Sequence, residues 1–127
     1  VEDAMTISMI DHVNIVTERL EETRAFFVDV LGLVVGPRPP FAVEGYWLYA
    51  GAKPIVHMQR APVPVCPSEA SALNHFAFAV EAFDPMIERL RRHGVAHRVV
   101  TVPGTTIRQV FFHDPNSVRV EITEAVV

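Results

Sequence analysis

Disulfide chemistry is the first thing this sequence lacks. Its one cysteine, Cys66, has no second thiol to pair with and sits in no Cys-X-X-Cys motif, so it reads as an incidental thiol. Long hydrophobic runs are missing as well. No stretch approaches the roughly 20 apolar residues that a bilayer-spanning helix needs, and Val1 to Met9 has no basic segment followed by an apolar one. Because residue 1 is Val, the first few residues are read as a processing remnant outside the fold; the expected location is cytoplasmic, with no membrane partner. Basic charge is scarce: 11 Lys and Arg against 15 Asp and Glu leave a net charge of −4, and the arginines are scattered. A nucleic acid is a poor partner for such a surface, whereas a small molecule is not.

What is present is apolar residue in quantity and a repeated pattern. Half of the 127 residues are hydrophobic, enough to bury one core. Ile10 to Val16 reads as a strand, and Leu20 to Leu31 as a helix with Leu20, Phe27 and Leu31 on one face and Gly32 as its stop. Three short strands follow: Leu33 to Val35, Gly45 to Ala50 and Pro54 to Gln59. The second half repeats the order, with strand Leu73 to Val80, helix Pro85 to His93, stop Gly94, and strands His97 to Val102, Ile107 to His113 and Ser117 to Thr123. Between the halves, Ala61 to Ser71 carries Pro62, Pro64 and Pro67 and no helical period, which marks a linker. The expectation is an α+β fold of two tandem βαβββ modules, about residues 9–60 and 72–124, within one domain over 7–125. Neither half can bury its helix and sheet alone, so the two sheets are expected to join into one curved mixed sheet around a metal site.

The repeat singles out four side chains. His12 and His75 are each the third residue of their half's first strand, while His57 and Glu121 fall on each half's last strand, at the same offset to within one residue. Strand alternation then sets His12 and Asn14 against Val13 and Ile15, and His57 against Val56 and Met58. It likewise sets His75, Ala77 and Ala79 against Phe76, Phe78 and Val80, and Glu121 against Val120 and Ile122. All four candidates lie opposite the hydrophobic rows. A lone strand histidine is more often a surface or hydrogen-bonded residue; two pairs at equivalent places are harder to obtain that way.

These residues resemble the vicinal oxygen chelate superfamily, which comprises glyoxalase, bleomycin-resistance and extradiol-dioxygenase relatives. The resemblance spans nearly the whole chain. It rests on Ile10-Asp11-His12-Val13, Thr23-Arg24-Ala25-Phe26-Phe27 leading to Val30-Leu31-Gly32-Leu33, Leu73-Asn74-His75-Phe76-Ala77-Phe78, and Phe112-His113-Asp114-Pro115-Asn116 with Val120-Glu121-Ile122. It implies metal ligation by His12, His75 and Glu121, with His57 in the remaining place. There glyoxalase I and epimerase relatives tend to hold Glu or Gln, and dioxygenases and fosfomycin thiol-transferases generally hold no ligand. Histidine departs from all of these. Many relatives form homodimers, so a homodimer is expected.

Imidazole and carboxylate together suit one borderline divalent ion: Zn, Ni, Co, Fe or Mn. With four protein ligands an octahedral ion keeps about two positions, enough to chelate vicinal oxygens and acidify the neighbouring C–H. The expected activity is that of a glyoxalase-I-like lyase or isomerase working by proton transfer, with Glu121 the first candidate base and His57 the second. If His57 swings out of the ligand set, a His-His-Glu triad remains and an Fe(II) extradiol dioxygenase becomes the alternative. A drug-binding or thiol-transferring resistance protein is a further one. Arg38, in the Pro-rich turn Pro37-Arg38-Pro39-Pro40, is a candidate to meet an anionic substrate, Trp47 to line the cavity wall, and Arg119 and Asn14 to contact substrate. His93 and His97, flanking Gly94, and His113, before a turn, are read as structural.

Overall fold

The computed structural model describes residues 5–125. Strand β1 (Val13–Thr17) leads into helix α1 (Leu20–Ala25), which widens into a π-helical turn over Phe26–Val30. Strands β2 (Val34–Gly36), β3 (Gly45–Ala50) and β4 (Lys53–Arg60) complete the first module. After a linker holding one 3-10 turn (Ser68–Ala70), strand β5 (His75–Val80), helix α2 (Phe83–Arg92) and strands β6 (Arg98–Thr101), β7 (Arg108–His113) and β8 (Arg119–Glu124) repeat the order. The tandem βαβββ arrangement is thus the one the sequence pattern calls for. Its first strand starts later than expected, so His12 stands just ahead of the ladder instead of inside it.

The sheets have the orders β1-β4-β3-β2 and β5-β8-β7-β6. In each, the module's first strand lies at an edge and runs parallel to its last strand, while the remaining pairs are antiparallel. Within the chain the two sheets stay four-stranded and separate, where the sequence suggested one continuous curved sheet. The modules are joined through their hydrophobic faces. Val56 and Met58 of β4, Val120 and Ile122 of β8, Leu20, Phe27 and Leu90 fall in one buried cluster. Phe26 and Phe27 reach across to Phe112 and Phe78 of the second sheet, with ring centroids 6.0 and 6.5 Å apart. Such aromatic pairs contribute about 0.5–1.5 kcal/mol beyond the area they bury.

Two polar devices fix the modules against each other. The carbonyls at the end of the π-turn have no partner along the chain, because Gly32 turns it away at φ +85°. Arg89 of α2 supplies the donors, from Nε to Val30 O at 2.7 Å and from Nη2 to Asp29 O at 3.1 Å. On the other side, Asn116 accepts from Thr17 Oγ1 at 2.6 Å and donates to Thr23 Oγ1 at 3.0 Å. The turn carrying Asn116 is held by buried Asp114, whose carboxylate accepts from the Asn116 and Val118 amides at 2.8 and 2.9 Å. Because the core consumes one face of each sheet, the opposite faces carry the polar strand residues.

Candidate metal centre

In the second module, register places Glu121 beside Ala77 on β5 and Phe111 on β7. Glu121 is buried, and both of its oxygens are engaged. Gln109 Nε2 donates to Oε2 at 2.8 Å, and His75 Nε2 lies 3.1 Å from Oε1. The His75 ring donates from Nδ1 to Asn74 Oδ1 at 2.8 Å. That same oxygen accepts from Arg119 Nη1 at 3.2 Å, which identifies it as the oxygen end of the amide. With its proton on Nδ1, a neutral His75 turns the Nε2 lone pair towards a carboxylate oxygen. Two acceptors at that separation require a cation between them, either a proton or a metal ion. Two donors bound at about 2.1 Å and a right angle to each other sit about 3 Å apart, so the pair fits a divalent ion.

In the first module His12 is oriented by the same device. Its Nδ1 donates to Asp11 Oδ2 at 2.8 Å, and Lys53 Nζ holds the other carboxylate oxygen at 3.0 Å. The His12 hydrogen bond and Lys53 hold the Asp11 carboxyl below the usual range. His12 Nε2 is left as the lone pair available to a metal ion. His57 is sandwiched between two rings: His12 at 3.7 Å between centroids and 12° between planes, and Trp47 at 4.1 Å and 13°. Its Nε2 donates to Pro54 O at 3.1 Å. Burial first, and the neighbouring His12 second, push the His57 pKa below the ordinary imidazole value, which keeps the ring neutral at pH 7. A ring nitrogen's lone pair lies in its ring plane, so two parallel rings stacked at this distance cannot both point at one ion.

The strands therefore bring the four candidates together as two pairs, His12 with His57 and His75 with Glu121. Among the described residues no three His, Cys, Asp or Glu side chains converge as a metal site would require. Each pair lies on the face of its sheet opposite the shared core. Asn14 is bonded to Gln59 at 3.1 Å and shares a cavity of about 210 Å³ with His12, His57, Trp47 and Arg38. It also lines a larger cavity, about 340 Å³, running along β1 past Cys66 to His75. Arg119 packs its guanidinium over Phe111 at 4.2 Å. His97 and His113 are engaged elsewhere, with Val95 O and Glu69.

Four further residues contact the candidates: Asp11, Asn74, Gln109 and Phe111. Asp11 and Asn74 each immediately precede a candidate histidine, a sequence signal as regular as the histidines themselves. Phe111 stands opposite Glu121 as Trp47 stands opposite His57, so the duplication extends to the aromatic wall. Gln109 is visible only once β7 and β8 are placed in register.

Two βαβββ modules packed through their hydrophobic faces, with a histidine at or just before each first strand and His57 or Glu121 on each last strand, define the class of fold. Residues 9–122 match the model of the Glyoxalase/Bleomycin resistance protein/Dioxygenase superfamily, and the chain belongs to that family. It is 29% identical over 123 residues to Glyoxylase I 4 of Arabidopsis thaliana, an alignment covering 91% of this chain and 70% of the relative. A glyoxalase family protein from Enterococcus faecalis superposes with a TM-score of 0.72 at 28% identity, covering 91% of this chain and 97% of that one. The fosfomycin resistance protein FosX from Listeria monocytogenes shares the fold with a TM-score of 0.75 at 16% identity, covering 96% and 97% of the two chains. Members of the family generally bind a divalent metal. Among the described residues no helix is long and apolar enough to cross a membrane.

Proposed function

We propose that this protein is a metal-dependent lyase or isomerase of the glyoxalase I kind, moving a proton on a small substrate held through two vicinal oxygens. The observation that carries it is His75 Nε2 facing Glu121 Oε1 at 3.1 Å, with the other ring nitrogen and the other carboxylate oxygen already committed. That arrangement calls for a cation. The third ligand is His12 of a second copy of the chain, which makes the working form a homodimer. In support, β1 and β5 are open sheet edges beside His12 and His75, and Ile7, Met9, Ile10 and Leu73 next to them are exposed apolar residues. A two-fold pairing of such edges creates two equal sites.

A divalent ion held by His12, His75 and Glu121 would polarise a substrate carbonyl and acidify the adjacent C–H. Gln109 keeps the Glu121 carboxylate oriented, while Asp11 and Asn74 fix the imidazole tautomers that leave each Nε2 free to ligate. Glu121, held at both oxygens, is a poor mobile base. The proton acceptor is His57, neutral, desolvated and adjacent to His12, using the Nδ1 that its bond to Pro54 leaves open. Trp47 and Phe111 wall the site and exclude water.

The test is proton exchange. The protein loaded with Zn, Ni, Co or Mn is incubated with a hydroxy-ketone in deuterated water and C–H exchange is followed by NMR. Exchange that disappears in His57→Ala while the metal stays bound supports this reading. A second reading follows from the His57 stack: a three-residue ligand set leaves room for a bidentate catecholate plus dioxygen on Fe(II). Oxygen uptake with catechols by the iron form, without proton exchange, would establish that reading in place of the first.

A further inference from the structure

We infer that the substrate carries an oxyanion, a carboxylate or a phosphate-type group, set apart from its chelating oxygens and seated on the Arg38 guanidinium. This rests on the proposed small-molecule site and names its substrate class. Arg38 shares the first-module cavity with His12, His57 and Trp47, and no carboxylate lines that cavity. Among the described residues Arg38 has no salt bridge, and its Nε is buried without a hydrogen-bond partner. A desolvated guanidinium nitrogen with no acceptor is costly, and a bound oxyanion satisfies it.

The neighbouring acids are taken. Glu44, which borders the adjoining depression together with Arg38, is paired with Arg60 at 3.0 Å, and Asp11 is shared between His12 and Lys53. The cation is also held ready. Tyr49 Oη donates to Pro37 O at 2.6 Å, three prolines stiffen the turn, and Phe41 lies under the guanidinium at 5.0 Å. At Gly45 a Cβ would clash first with Met58 O and then come within 2.7 Å of Arg38 Nη2, so glycine lets both the β4 backbone and the guanidinium approach β3. A rigid, unpaired arginine beside His12, a proposed metal ligand, is an anion anchor whose ordering cost has been met in the fold.

The single tryptophan, Trp47, lies in the same cavity and reports binding by its fluorescence. The protein, with and without Zn, is titrated with dihydroxyacetone phosphate, 5-hydroxy-4-oxopentanoate and neutral dihydroxyacetone. One or both anions should bind at least about tenfold more tightly than the neutral probe, as expected of a charge-assisted contact. Which anion is preferred separates the phosphate source from the carboxylate one. Arg38→Gln should abolish the preference and leave Zn affinity unchanged, Arg38→Lys should retain part of it, and Arg92→Gln, the same charge change on exposed α2, should leave it intact. Equal affinities for all three probes, or a preference that survives in Arg38→Gln, overturn the inference. An Arg38-dependent preference in a protein that takes up no Zn would uphold it while the metal reading fails.

Discussion

If each site draws His12 from one copy and His75 with Glu121 from the other, two inactive variants should repair each other. In a His12→Ala homodimer both sites lack His12, and in a His75→Ala homodimer both lack His75. A mixed dimer contains one site with both lesions and one with neither. Random re-pairing of equal amounts makes half the dimers mixed, each with one intact site of two. Metal capacity and proton exchange should then return to about a quarter of the wild-type level. The assay is metal content after gel filtration of the subunits co-refolded from denaturant, read beside exchange activity. Glu121→Ala mixed with His75→Ala is the control: both lesions lie in the same half-site, no dimer contains an intact site, and no recovery is expected. Recovery near zero in the His12/His75 mixture, with mixed dimers verified by mass, would refute the shared site and return all the ligands to one chain.

Other consequences concern the residues around the ligands. Gln109→Leu removes the donor that orients Glu121 and should weaken metal affinity about 10–100-fold in a competitive chelator titration. Asn74→Ala frees both the His75 ring and Arg119 and should cost a similar factor, with Asn74→Asp recovering most of it because an acceptor is restored. Since burial holds the His57 pKa below the imidazole value of 6.5, the acid limb of the exchange rate should fall below that pH, and His57→Ala should leave no exchange at any pH. Asp114→Ala, which strips the acceptors from the turn holding Asn116, should destabilise by about 1–3 kcal/mol in urea unfolding. Burial raises the Asp114 pKa above its ordinary 3.8, so the folded state favours the protonated group. Its contribution is greatest below that value and declines as pH rises through the folded pKa, so the wild-type advantage should narrow between acid and neutral pH.

Much of this was legible in the residues because duplication supplies an internal comparison. The alternation that sets His57 against Val56 and Met58 depends only on the period of a strand, and the structure keeps it: Val56 and Met58 are buried at 0 and 1% exposure. The first helix was legible from its apolar face and Gly32 stop, the second from its place in the repeat and its Gly94 stop. The joining of the modules was not. Arg89 capping Val30, and Asn116 bridging Thr17 and Thr23, are contacts between residues far apart in the chain, and nothing in local pattern ranks them above other polar residues. For the same reason the sequence suggested one curved sheet: periodicity identifies the buried face of each sheet and is silent on whether the free edges meet within one copy or between two. The His57 stack was equally hidden, since ring planes depend on χ angles that no spacing encodes.

The contrast between the two halves argues for a division of labour. His57 and Glu121 stand at equivalent strand positions, opposite Trp47 and Phe111. One has become a stacked, desolvated imidazole whose proton affinity is lowered, the other a carboxylate clamped between an imidazole and an amide. A ligand needs a fixed position and a lone pair aimed at the ion; a base needs an open nitrogen and a pKa below the working pH, and one residue type serves both poorly. In the proposed two-fold dimer the conflict would be resolved by composition: every site would receive one first-module half, with the proposed base and the Arg38 cation, and one second-module half, with the carboxylate. Identical modules would have given either two bases and no anionic ligand or two carboxylates and no neutral base. On that proposal, divergence at this one pair of positions is what would allow a duplicated fold to hold an ion and move a proton in the same cavity.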